Sequence, residues 1–445
     1  MHYFVMVSMV VVMVSTALVT NGYAPGSMKF MPELVSAIAV LCVLLAGVRQ
    51  RFQYVSARYW LAFVLIGITL LGGIAVNSLG TGPIIAAMRL YLRAVPFFFI
   101  PAVFQFTERQ LKQQMGLLLA LTLLQVPLAG YQRWEYVKLG WATGDYVFGT
   151  LQDSGILSIF LISVAVVMTA LMLRGRMSKL LYALLFFIVL IPTMINETKI
   201  TVILLPLGLL TVLIVGAPAG RRLVLTIWAM TLLVAFGAVF IPVYDYLNEG
   251  RQYSKKLTDF FSDEQEVSKY VASGETAGSD KQAGRVDAVV VPFNYISREP
   301  TRFVFGIGMG NASRSSMGKN FSGRYYLLFK SFTTTSAGIF LLEIGTMGLG
   351  LALLVQFFIF RDALALARSG PSLESALAAG WAAVVVMIGI STFYAPLHLF
   401  ESVSYLFWYY SGIIAAARVR LALRTVPARV RAQPPLGLLD TAHNR

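Results

Sequence analysis

Apolar runs near the length of a bilayer span recur along this chain, at 3–20, 31–48, 60–78, 83–104, 115–131, 155–173, 180–195, 200–217, 223–243, 336–360, 373–393 and 400–417. A helix needs roughly 20 such residues to cross the hydrocarbon core. Inside that core only helices and closed barrels satisfy every backbone N–H and C=O. Hydrophobic residues make up 57% of the chain and charged ones 13%, about half the charge of an ordinary soluble domain. The expectation is therefore an all-α polytopic membrane protein with about 12 transmembrane helices. Helices 1–9 lie in 1–243, a long extramembrane segment with short helices in 244–335, helices 10–12 in 336–417, and a basic tail in 418–445.

A formal charge of +15 invites a nucleic-acid partner, but the placement of the basic residues argues against one. They cluster in alternate linkers: Arg49, Arg51 and Arg58; Arg109 and Lys112; Arg174, Arg176 and Lys179; Arg221 and Arg222; Arg361 and Arg368; and the tail from Arg418 onward. Those segments hold eighteen Lys and Arg, against four in the short loops between them, namely Lys29, Arg133, Lys138 and Lys199. The positive-inside bias makes the rich side cytoplasmic, with both termini inside and 244–335 outside. Cys42 is the single cysteine, which excludes an intramolecular disulfide and a cysteine zinc site, and three scattered histidines define no metal site.

The long segment divides by charge. Residues 244–287 hold six basic and nine acidic side chains, whereas 288–335 hold six basic ones against Glu299 alone. The returning half attracts anions, either as a phosphate-lipid site or as a surface resting on anionic headgroups. Within it, Gly306-x-Gly308-x-Gly310 lacks the βαβ context of a nucleotide loop and reads as a flexible turn, although its backbone amides have room to approach a phosphate. Gly274–Gly284 (GETAGSDKQAG) reads as a linker.

Several ionisable residues stand where hydrocarbon makes them costly. Arg89 and Arg93, in MRLYLRAVPFFF, share one helix face inside a span, where charges serve a polar cavity or a partner unless one of them snorkels outward. Glu343, in FLLEIGTMG, lies two turns inside apolar sequence and either pairs with an arginine such as Arg89 or faces a substrate cavity. Asp153, in GTLQDSG, lies at a span end. Glu197 and Lys199 form the outer turn NETK. His398, in YAPLHLFES, is either a general base or a structural hydrogen-bonding residue.

In order along the chain, GTLQDSG, the short outer NETK, the long outer segment with Gly284-Arg285, FGIGMGN and LLEIGTMGLG resemble the O-antigen polymerase/ligase superfamily of bacterial membrane glycosyltransferases. The likeness covers roughly residues 80–360. It implies a GT-C-type helical fold in the bacterial inner membrane, acting on its outer, periplasmic face without metal, nucleotide sugar or other cofactor. Undecaprenyl diphosphate-linked glycan is then both donor and acceptor, with a chain-length regulator and a flippase as protein partners. The resemblance assigns Lys199 and Arg285 to the diphosphate, a role that suits the charge a leaving pyrophosphate gains in the transition state. Lysine in place of the family's arginine at 199 loses bidentate geometry.

Ligases of this group carry a histidine before the Glu-x-Gly segment. The interval KSFTTTSAGIFLLEIG has none, which favours a polymerase over a ligase with an atypical base. Arg133 and Gly144 match the spacing described for polymerase loops only as often as chance allows. The expected site comprises Arg285, Lys199, Arg89, Arg93 and Arg302 for the diphosphate, with Glu343, Asp153 or His398 orienting or deprotonating the acceptor hydroxyl. The alternative is a transporter or flippase of lipid-linked glycan. The long connection follows the ninth run and lies outside rather than at the middle and inside, which favours the enzyme.

Overall fold

The computed structural model describes residues 1–50, 52–138, 144–196, 198–217, 220, 222–248, 256–275, 281–315 and 317–425. Arg51, Glu197, Arg221, the middle of the Gly274–Gly284 linker and the tail beyond Thr425 lie outside the described residues. The described chain is helical, without strands, and its apolar helices make it a membrane-embedded, multi-pass protein.

Each of the twelve apolar runs falls in helix: α1 (His2–Thr20), α2 (Met31–Gln50), α3 (Ala57–Asn77), the pair α4 (Thr81–Leu92) and α5 (Pro96–Val103), α6 (Glu108–Lys138), α7 (Ser154–Leu173), α8 (Lys179–Ile195), α9 (Thr201–Gly216) and α10 (Arg222–Asn248). After the long segment come α16 (Ser336–Ala367), α17 (Leu373–Ser391) and α18 (Glu401–Thr425). Among the described residues seven helices are long and apolar enough to cross a membrane on their own, and the α4–α5 pair makes at most an eighth. The count of twelve self-sufficient spans is thus reduced. Helices α8 and α9 and the apolar part of α10 are shorter, while α18 loses hydropathy to Arg418, Arg420 and Arg424 at its end.

The run 83–104 is not one straight span: α4 and α5 bend by 42°. Pro96 begins α5 without an N–H to donate backwards, and the intervening Arg93 is held by partners from other helices. Helix α16 runs past its expected end to Ala367, and in that extension Arg58 and Tyr59 of α3 hold Asp362, Tyr59 Oη donating at 2.6 Å. Helices α7 and α17 form the centre and are buried along most of their length. Peripheral α2, α3, α8 and α10 leave Leu45, Val48, Leu61, Leu71, Leu180 and Val234 exposed, as lipid-facing helices do.

The ends of the bundle sort the loops. At one end Arg176 meets Glu108 at 3.4 Å and the Pro371 carbonyl, Arg174 donates to the Ala367 carbonyl at 2.7 Å, and Arg420 meets Glu374 at 2.8 Å. The basic linkers therefore share a face. At the other end lie the 149–154, 198–200 and 392–400 turns and the described parts of the long segment, folded into α11 (Leu257–Ser262), α12 (Glu264–Val271), α13 (Asp287–Ile296), α14 (Pro300–Phe305) and α15 (Tyr326–Phe329). This segment has its own small core around Ile296, Phe329, Phe332 and Leu342. It packs down on α16 rather than hanging free.

Candidate functional site

Lys199, Arg285 and Asp153 converge from three separate segments. Asp153 is the N-cap of α7, its Oδ1 accepting from the Ile156 N–H at 2.8 Å, the usual way a helix satisfies an orphan donor. Tyr394, on the turn after α17, approaches the same corner beside Gly155. The Arg285 guanidinium stands 4.9 Å from the Tyr394 ring centre and 5.7 Å from that of Tyr270, and the Lys199 ammonium 4.5 Å from Phe260 and 5.5 Å from the same Tyr270. The Tyr270 hydroxyl donates to that of Tyr394 at 2.9 Å, fixing both rings. The backbone N–H of Arg285 donates to the Tyr270 carbonyl at 3.3 Å, so α12 and the 283–286 loop carry the arginine and its platform together.

The electrostatics of this corner are those of an anion site with a carboxylate at its edge. Burial, joined by the charge of Asp145, holds the Asp153 carboxyl above its usual range, against the pull of the α7 N–H groups and Arg285. Burial and the neighbouring Tyr270 likewise push the Tyr394 phenol up, so it remains a neutral donor. Two cations on aromatic faces, a phenol and a half-buried carboxylate can bind a diphosphate, stabilise a leaving anion and accept a proton.

Glu343 is elsewhere and does neither thing expected of it. Its fully buried carboxylate accepts from Tyr91 Oη at 2.8 Å and from the N–H groups of Gly310 at 2.8 Å and Ala312 at 3.0 Å, with the Ser313 side chain as a further partner. Donors surround it, which is what an acceptor-only carboxylate requires. The expected flexible turn at Gly306, Gly308 and Gly310 is likewise corrected. Residues 306–312 are buried, and the anion their amides approach is Glu343 itself. Gly310 has φ +79°, and a Cβ there would lie 2.4 Å from the Pro83 carbonyl oxygen. Gly345, where α16 breaks at φ +69°, faces Val304 just as closely.

Arg89 and Arg93 do not join Lys199 and Arg285 in this cluster. Arg89 Nε lies 2.5 Å from Glu33, and Arg93 lies 3.1 Å from Glu33 and 2.6 Å from Glu401, also donating to the Leu399 carbonyl at 2.7 Å. Three helices and the 397–399 turn are tied by these ion pairs. The snorkelling alternative for Arg93 is also overturned, because its side chain is buried. Arg302 pairs with Glu299 at 3.0 Å and rests on Tyr295. His398 is half-buried beside α16, its Nδ1 3.0 Å from Ser336 Oγ and its ring stacked on Tyr91 at 5.6 Å, while Nε2 has no hydrogen-bond partner. It lines an apolar cavity of about 510 Å³ running from Trp60 and Phe63 to Met309. Burial, reinforced by Arg93, lowers its pKa to about 3, leaving the imidazole neutral.

Sequence reasoning missed Tyr270 and Tyr394. Neither sits in a charged or glycine-rich motif, and an isolated tyrosine among 20 gives no signal until the turn and α12 are folded together. Arg133 is buried on α6, next to Gln132, which bonds the 148–149 backbone. Among the described residues no group of three or more His, Cys, Asp or Glu gathers in a way that could hold a metal ion. No protein-family model matches this chain, and no curated protein matches it either.

Proposed function

We propose that this chain is a bacterial inner-membrane glycosyltransferase that polymerises undecaprenyl diphosphate-linked repeat units into O-antigen, capsule or exopolysaccharide. In this reading all twelve helical runs are embedded in a GT-C-like fold, the shared basic face is cytoplasmic, and the Lys199–Arg285 corner opens to the periplasm. The observation that carries the proposal is the meeting of Lys199 and Arg285 over one ring, Tyr270, beside Asp153. These are the two cations that the family resemblance assigns to the diphosphate, and they arrive from segments far apart in the chain.

The chemistry follows from that arrangement. The acceptor sugar hydroxyl attacks the anomeric carbon of the donor, and the bond from that carbon to the phosphate oxygen breaks. The hydroxyl proton passes to Asp153, whose raised pKa suits a general base. The departing diphosphate takes up the electron pair, and Lys199 and Arg285 neutralise the charge it gains. The 392–400 turn presents Tyr394 to this corner and His398 to the apolar cavity beyond, which suits a second lipid-linked substrate along α3 and α16.

The test uses purified protein with lipid-linked repeat unit as the only substrate, so that neither a gradient nor a translocation step is needed. Arg285→Ala and Lys199→Ala abolish chain extension while the protein remains inserted and abundant, because the rings under the two cations are held without them, Tyr270 and Tyr394 by their own hydrogen bond and Phe260 by burial. Asp153→Asn slows transfer by roughly 10²–10⁴-fold. Extension at the wild-type rate in Arg285→Ala refutes the assignment, and movement of the intact lipid-linked unit across the bilayer without extension supports the transporter instead.

A further inference from the structure

A second cavity, of about 280 Å³, lies away from the Lys199–Arg285 corner, between α6, α7, α17 and α18. Its walls are apolar, with Leu119, Val164, Val167 and Leu377 among them, and its mouth is framed by Lys112 and Arg176 at the basic end of the bundle. Lining residues run from Leu373 to Ile388 of α17, about 22 Å along a helix axis. The wall is thus longer than the roughly 15 Å depth of one hydrocarbon leaflet, so part of an acyl chain can lie along it.

Charge at the mouth selects the headgroup. Glu108 is shared by Lys112 at 3.0 Å and Arg176 at 3.4 Å, and Arg109, Arg174 and Lys179 stand on the same linkers. The acidic side chain is therefore outnumbered where a membrane phosphate would sit, and Lys112 is largely exposed. Gly116, one turn further along α6, lines the cavity, and nothing lies within 4 Å of where its Cβ would be. The cavity wall is open at that point, as a groove entered from the side requires.

We infer that this cavity binds one acyl chain of an anionic phospholipid, with the lipid phosphate on Lys112 and Arg176. The inference is independent of the glycosyltransferase reading, since the cavity mouth and the diphosphate corner lie at opposite ends of the bundle. Near an anionic surface each Lys or Arg contributes about 1 kcal/mol, so removing Lys112 is expected to weaken binding about fivefold.

The test is native mass spectrometry and thermal stability of the full chain in detergent with an equimolar mixture of phosphatidylglycerol and phosphatidylcholine, and separately with inorganic phosphate. Wild type is expected to retain phosphatidylglycerol preferentially and to be stabilised by it. Lys112→Glu should erase the preference, and Gly116→Phe, whose ring fills the cavity, should erase retention of both lipids. Leu119→Trp serves the same purpose should the first cavity-filling variant fail to fold. Equal retention of the two lipids by wild type, unchanged retention in the filled variants, or equal stabilisation by inorganic phosphate would each overturn the inference.

Discussion

Replacing Glu343 with glutamine tests whether this carboxylate is chemistry or architecture. In the wild type four donors converge on it, from Tyr91, Gly310, Ala312 and Ser313. A glutamine keeps one acceptor oxygen. With that oxygen placed between Tyr91 and Gly310, its NH₂ group faces the Ala312 N–H, donor against donor. One buried N–H then goes unpaired, at about 1–3 kcal/mol, and the surviving bonds fall from charge-assisted to neutral strength, losing about 1 kcal/mol each. With two surviving bonds, to Tyr91 and Gly310, the sum is roughly 3–5 kcal/mol, so the melting temperature of the detergent-solubilised protein should fall by on the order of 5 °C. Proteolysis within 306–315 should speed up in step, because Glu343 ties Gly310 and Ala312 of that loop to α16, beside the Ile307 N–H on the Leu342 carbonyl. Transfer activity per folded molecule should stay near wild type. A Glu343→Gln protein with unchanged melting temperature and a large loss of turnover would refute this reasoning and return the residue to the acceptor site.

Stability should also respond to acid through His398. With the folded pKa at about 3 and the unfolded one near 6.5, the unfolded chain binds one more proton between those values, so stability falls as pH drops below about 6.5, by about 1.4 kcal/mol per unit. His398→Gln should flatten that slope in melting curves between pH 5 and 7, and an unaltered slope would mean that other groups set it. For sidedness, cysteine at Lys281 should be labelled by an impermeant thiol reagent in spheroplasts and cysteine at Arg176 should not, in a Cys42→Ser background. The reverse pattern would invert the bundle.

Hydropathy by itself determined where the helices lie, because a backbone without water must be helical wherever the side chains are apolar for long enough. Charge placement likewise foretold that the Arg58, Arg109, Arg174 and Arg368 linkers share one end. That Asp153, Lys199 and Arg285 come together is a fact of the fold; along the chain only motif order links them, not any local rule. What the sequence left open was the use of each buried charge. An arginine inside a span must be compensated, but whether by substrate or by protein depends on what another helix brings to it, and only packing placed Glu33 and Glu401 against Arg89 and Arg93. Glu343 and the Gly306–Gly310 turn each had a functional reading in isolation, and folded together they satisfy one another. The tyrosine platform under the two cations could not be read at all, because cation–aromatic contacts act over about 6 Å in space and leave no mark on spacing along the chain.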